Sequence, residues 1–123
     1  MRVMVVGASA NPEKFGNKAV RAYLRRGHEV LPVNPRLARD GARIEGLEVY
    51  RDVTQPPGPI DRVTVYLPPT MGLGILDDLA ARGDVGDVWF NPGAESPEIV
   101  ERGRALGLNL VLGCSIVNIG EAP

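Results

Sequence analysis

Hydrophobic positions along this chain fall into short, nearly continuous runs rather than alternating with polar ones. "RVMVV" at Arg2 to Val6, "RVTVYL" at Arg62 to Leu67 and "LNLVL" at Leu108 to Leu112 have the pattern of strands covered on both faces of a parallel sheet. "EVLPV" (Glu29 to Val33) and "DVWF" (Asp87 to Phe90) fit the same role, and "EVY" (Glu48 to Tyr50) fits an edge strand. Between them lie helix-period segments. The first runs from about Asn17, buries Val20, Tyr23 and Leu24, and stops at Gly27 after Arg25 and Arg26, whose charges suit a helix C-terminus. A second runs from near Thr70 to Gly83, its first turn weakened by Gly72 and Gly74. The third starts at the N-cap Ser96 with Pro97 in the first helical position and Glu98 against the positive end, and terminates at Gly107.

Strand, helix and strand repeated with short connections predict an α/β fold: a Rossmann-like, doubly wound, mainly parallel sheet of five or six strands flanked by helices. The interval from Gly41 to Asp61 replaces one crossover helix, because its glycines and prolines oppose helix formation, and Pro56, Pro57 and Pro59 predict a rigid turn. At 123 residues the chain is read as one domain spanning 1–123, with any further domain supplied by another chain.

In such a sheet ligands bind beyond the carboxyl ends of the strands. The residues following each strand are "GASANPEKFG", "NPR", "PPT", "NPGAES" and "GCS", which turn, donate or accept far more than they pack. In the first, Gly7 permits a tight turn and close backbone approach, Ser9 adds a hydroxyl and Lys14 a positive charge, just before free helix amides that favour an anion. The dinucleotide fingerprint is absent, since Ser9 stands where its second glycine would be, and there is no G-K-[ST] of a P-loop. A plain strand-to-helix turn is the alternative. After the second strand an NAD-binding domain would place an acidic residue for the ribose hydroxyls, whereas this chain has Asn34 and then Arg36. A guanidinium there suits a phosphate on the adenosine ribose, as in NADP or coenzyme A, and otherwise reads as a solvated surface arginine.

"VVGASANPEKFGNKAVRAYLRRGHEVLPVNPR", "VTVYLPP", "VWFNPGAES" and "GLNLVLGCSIV" resemble the small stand-alone CoA-binding proteins, whose fold is similar to the CoA-binding domain of the succinyl-CoA synthetase α subunit. The resemblance covers nearly the whole chain. It implies coenzyme A or an acyl-CoA bound across the strand ends. By that resemblance Gly7, Ala8 and Ser9 meet the diphosphate with Lys14 adding charge, Asn34, Pro35 and Arg36 surround the adenosine and its 3′-phosphate, and Tyr66, Leu67 and Pro68 flank the nucleotide. The synthetase's phosphorylated histidine does not carry over. His28, the only histidine, falls between a helix end and a strand start, away from the ligand edge.

Composition changes this picture little. A formal charge of -1 offers no general attraction to nucleic acid or to a membrane surface, and no apolar run is long enough for a signal peptide or a spanning helix, so a cytoplasmic location is expected. With one cysteine and one histidine, neither a metal cluster nor a Ser-His-Asp triad is well supplied. Cys114 reads as a buried thiol or as a partner for the CoA thiol, and Trp89 as core. The reading is therefore a nucleotide binder without catalytic residues or metal, a carrier, sensor or regulator acting through an unknown protein partner. The rivals are an NADP-dependent reductase domain, for which Tyr66 is the obvious proton donor, and a protein-interaction scaffold with a vestigial nucleotide site. An open sheet edge also allows a homodimer.

Overall fold

The computed structural model describes residues 1–123. Its order is β1 (Arg2–Val6), α1 (Phe15–Arg25), β2 (Glu29–Val33), α2 (Pro35–Arg39), β3 (Arg43–Ile44), β4 (Leu47–Glu48), β5 (Ile60–Val65), α3 (Pro69–Leu73), α4 (Leu76–Arg82), β6 (Val85–Phe90), α5 (Pro97–Ala105), β7 (Asn109–Leu112) and α6 (Ser115–Asn118). The main sheet has five strands in the order β2-β1-β5-β6-β7, and every neighbouring pair is parallel. Strand order reverses between β1 and β5, so the loops leaving those two strands part to opposite faces and leave a crevice at their carboxyl ends.

Side-chain alternation along the strands divides the core in two. Met4, Val6, Val63, Val65, Val88 and Phe90 pack beneath α3, α4 and α5, with Leu76, Leu79 and Ile99 from the helices. Val3, Val5 and Val30 face the other way, against Ala19, Val20, Ala22 and Tyr23 of α1 and Ile116 of α6. Both faces of the central strands are thus covered, which accounts for their unbroken apolar runs.

Several expected boundaries move. α1 begins at Phe15, and its buried stripe is Ala19, Val20, Ala22 and Tyr23, while Leu24 lies at the rim, 36% exposed. The helix expected from Thr70 to Gly83 is two helices, because at Gly74 and Ile75, although both keep right-handed helical dihedrals, the amides donate three residues back, to Met71 O and Gly72 O, before the second helix starts at Leu76. The segment read as a simple edge strand at Glu48 to Tyr50 divides. Leu47–Glu48 pairs with Arg43–Ile44 in a hairpin turned by Glu45 and Gly46 at positive φ, and Tyr50 alone bridges to Val33. α2, not expected from sequence, follows from Asn34, whose side chain accepts from the Leu37 amide at 3.0 Å while Pro35 occupies the first turn. Trp89 is buried under the Arg62 guanidinium, 4.8 Å from its ring.

Candidate functional site

The crevice at the switch point is a cleft of about 680 Å³. Gly7, Ala8, Ser9, Lys14, Asn34, Arg36, Tyr66, Leu67 and Pro68 line it, and Pro35 lines an adjoining chamber of about 400 Å³ that shares Gly7, Asn34, Arg36 and Leu67. The ten residues singled out from sequence thus border two connected hollows. The smaller hollow is walled mainly by Val6, Val33, Val53, Met71 and Ile75, with Arg51, Asp52 and Asp78 also bordering it.

The floor of the cleft is the loop between β1 and α1. Gly7 has φ +85, a conformation that disfavours any side chain, and its amide and that of Ala8 both donate to Val33 O at 3.2 Å, fastening the loop to β2. Beyond that anchor the amides of Ser9, Ala10, Phe15 and Gly16 have no acceptor within the chain. They lie at and beside the N-terminus of an 11-residue helix, where backbone dipoles favour negative charge. Asn17, fully buried, holds the loop by donating to Ser9 O at 2.9 Å and to Glu45 Oε2 at 3.2 Å.

Asn34 is tied into the fold through both atoms of its side-chain amide. Besides capping α2 it donates to Ala8 O at 2.9 Å, so it ties the first loop to the second. This leaves charge to Lys14 and Arg36. Among the 14 cationic side chains, Lys14, Arg36 and Arg104 alone enter no ion pair, no hydrogen bond and no ring contact within the chain. Two of these three line the cleft.

Tyr66, expected to flank the nucleotide and, on the reductase reading, to serve as proton donor, lines the cleft. Its hydroxyl lies 3.3 Å from Ser115 Oγ, and burial pushes its pKa up to about 12. Ser115 belongs to a buried network in which Thr64 Oγ1 lies 2.7 Å from Ser115 Oγ, Asn91 Nδ2 donates to Thr64 Oγ1 at 2.8 Å, and the Ser115 amide donates to Asn91 Oδ1 at 2.9 Å. Asn91, Pro92, Gly93 and Ala94, which the sequence places at the ligand edge but which are not among the ten residues singled out, also line the cleft. The signal was there in "NPGAES". That loop is satisfied only in part: the Gly93 amide donates to Glu95 Oε2 at 3.1 Å, the Ala94 amide to Asn91 O at 2.8 Å and the Ile99 amide to Ser96 Oγ at 3.2 Å, while the amides of Glu95, Ser96 and Glu98 have no acceptor within the chain. No group of three or more His, Cys, Asp or Glu side chains has the arrangement of a metal site, and no helix is long and apolar enough to cross a membrane.

A parallel sheet with a switch-point cleft, free loop amides and unpaired cations defines a nucleotide-binding class of α/β protein. The chain belongs to the CoA binding domain family, whose model matches residues 1–120. It is 38% identical to a conserved hypothetical protein from Pyrococcus furiosus, with TM-score 0.84 over 95% of this chain and 97% of that one. It is 27% identical to the uncharacterized protein YneT of Bacillus subtilis, covering 90% of this chain and 82% of the relative. The α subunit of an ADP-forming acetate–CoA ligase from Pyrococcus furiosus is 24% identical across 98% of this chain, which spans only 28% of that subunit.

Proposed function

We propose that the connected hollows hold coenzyme A, with the diphosphate on the free amides of Ser9, Ala10, Phe15 and Gly16, beside Lys14. Arg36, bordering both hollows, meets the 3′-phosphate. The adenine enters the smaller, mainly apolar chamber, and the pantetheine arm leaves along Asn91 to Ala94. Gly7, Ala8, Asn34 and Pro35 shape the bed, while Leu67 and Pro68 flank the nucleotide. The observation that carries this reading is that Lys14 and Arg36 find no acceptor in the chain yet border one cleft. A cation at a phosphate site gains charge-assisted hydrogen bonds that an exposed surface cation lacks.

The role that follows is that of a CoA or acyl-CoA carrier or regulator that hands its ligand, or reports it, to a protein partner. Membership of the CoA-binding family and similarity to a ligase subunit, of which this chain spans 28%, support the ligand. An NADP reductase needs a proton donor beside the nicotinamide. Tyr66, engaged with Ser115 and held near a pKa of about 12, is poorly suited to that work.

Thermal unfolding with CoA, dephospho-CoA, NADP and NAD at matched concentrations tests the reading. A ligand that binds only the folded state adds about 2.7 kcal/mol at a hundredfold excess over its Kd, enough to raise the midpoint by several degrees. CoA is expected to give the largest shift and dephospho-CoA a smaller one. A shift with NADP alone would reassign the nucleotide, and none with any of the four would leave a scaffold.

A further inference from the structure

The sheet has two edges, and the chain covers only one. Beside β2, Tyr50 N donates to Pro32 O at 2.9 Å and Asn34 N to Tyr50 O at 3.0 Å, and β4 packs alongside. At the other edge β7 has β6 as its only neighbour. Its sequence "NLVL" contains no charge or proline, the usual means of keeping an edge from pairing. Gly113 N donates inward to Phe90 O at 3.2 Å. Main-chain groups alternate in direction along a strand, so those of Val111 also face β6, and those of Leu110 and Leu112 face outward without partners.

Beside this edge, α5 and β7 enclose a groove of about 750 Å³ lined by Pro97, Val100, Glu101, Arg104 and Leu112. Leu112 is 53% exposed. Glu101 and Arg104 both border the groove, and neither forms an ion pair within the chain.

We propose that a second copy of this chain occupies this edge, its β7 antiparallel to the first about a two-fold axis normal to the sheet and centred on Val111. Two requirements meet in that register. Such an axis keeps each copy's faces on the same side, so directly opposed residues must share a face. The outward groups of Leu110 and Leu112 must also find each other. Both hold when Leu110 lies opposite Leu112 of the second copy and the reverse, with Val111 opposite its own symmetry mate as a non-hydrogen-bonded pair, the register that pairs the outward groups of both leucines with one another. Leu112 is then covered by Leu110 of the second copy beneath two antiparallel α5 helices. The charges select the same occupant. Glu101 and Arg104, both unpaired along α5, are complementary to themselves under a two-fold, Glu101 facing Arg104 of the second copy, while Glu95, also at the groove, accepts from the Gly93 amide. The proposal is independent of the nucleotide reading, since no β7 residue lines either ligand hollow.

Sedimentation equilibrium at micromolar to millimolar loading tests it, together with two variants. The natural chain is expected at twice its 13.2 kDa mass, and Leu112→Lys at one chain mass with an unchanged circular dichroism spectrum. In a Cys114→Ser background, Val111→Cys is expected to cross-link into a covalent dimer on mild oxidation, and Asn109→Cys to remain unlinked. A natural chain at one chain mass throughout that range would overturn the proposal. So would a Leu112→Lys chain that stays dimeric, or a Val111→Cys chain that cross-links no better than Asn109→Cys.

Discussion

Arg82 and Arg36 carry the same guanidinium at opposite ends of the sheet. Arg82, with its side chain 10% exposed, donates to Asp84 Oδ1 at 2.9 Å, to Val53 O at 2.9 Å and to Pro56 O at 2.8 Å, and so fastens the segment around Val53 to Pro56 to the turn between α4 and β6. Arg2 does similar work with Glu29 and the carbonyls of Pro57 and Pro59. Arg36 is exposed and meets no acceptor in the chain. Charge at the amino ends of the strands is used by the fold. At the carboxyl ends Arg51 is paired with Asp52, but Lys14 and Arg36 are left for something else, and this contrast distinguishes a site from a surface more sharply than the cleft's volume does.

The contrast would break most visibly at Arg82. Arg82→Met leaves two buried carbonyls and a partly exposed carboxylate without their donor, at a cost of about 2–4 kcal/mol. Denaturant unfolding should show that loss, and the stabilisation added by CoA should be unchanged. Equal losses of stability and of CoA-induced stabilisation would mean that the two ends are not separable.

Arg36→Ala should do the reverse. Hydrogen bonds to charged groups contribute about 1.5–3 kcal/mol, so CoA affinity measured by calorimetry should fall roughly tenfold to a hundredfold. Affinity for dephospho-CoA should hold, and stability should change by no more than about 0.5 kcal/mol, as for other exposed substitutions. A uniform loss for both ligands would place Arg36 against the diphosphate instead.

How far sequence exposed this division depended on what each residue's neighbours were. Continuous apolar runs identified the main strands, because burial on both faces leaves no other pattern, and Ser96, Pro97 and Glu98 marked α5 because capping is local chemistry. Strand limits shifted where pairing decides: Ile60 and Asp61 join β5, and Tyr66 and Leu67 leave it, because β6 starts opposite Ile60 and β1 ends opposite Val65. Asn34 and Pro35 were read for a ligand although the same pair is a helix-start signal, and in the fold Asn34 serves α2 and the first loop. The cleft's near side was legible because it follows strands in sequence. Tyr66 shows the limit. A strand-end position gave its place at the edge, but only the fold reveals that its hydroxyl lies beside Ser115, 49 residues away.

The smallest expected effect separates the two ends by pH. Burial, then the positive charges of the chain's amino group and Arg62, hold the His28 imidazole below its ordinary 6.5. The folded chain therefore binds fewer protons at this site than the unfolded one. The associated stability is present above pH 6.5 and is lost as pH falls through the lowered folded value. The 3′-phosphate of CoA takes up its second proton near pH 6, which weakens its attraction to Arg36 over a similar range. Measured between about pH 7.5 and 5, both stability and CoA affinity should decline, from causes at opposite ends of the sheet. His28→Gln should flatten the stability profile and leave the affinity profile intact, while dephospho-CoA should flatten the affinity profile and leave stability intact. An affinity profile that follows His28 would show that the two ends communicate, and the division drawn from Arg82 and Arg36 would fail.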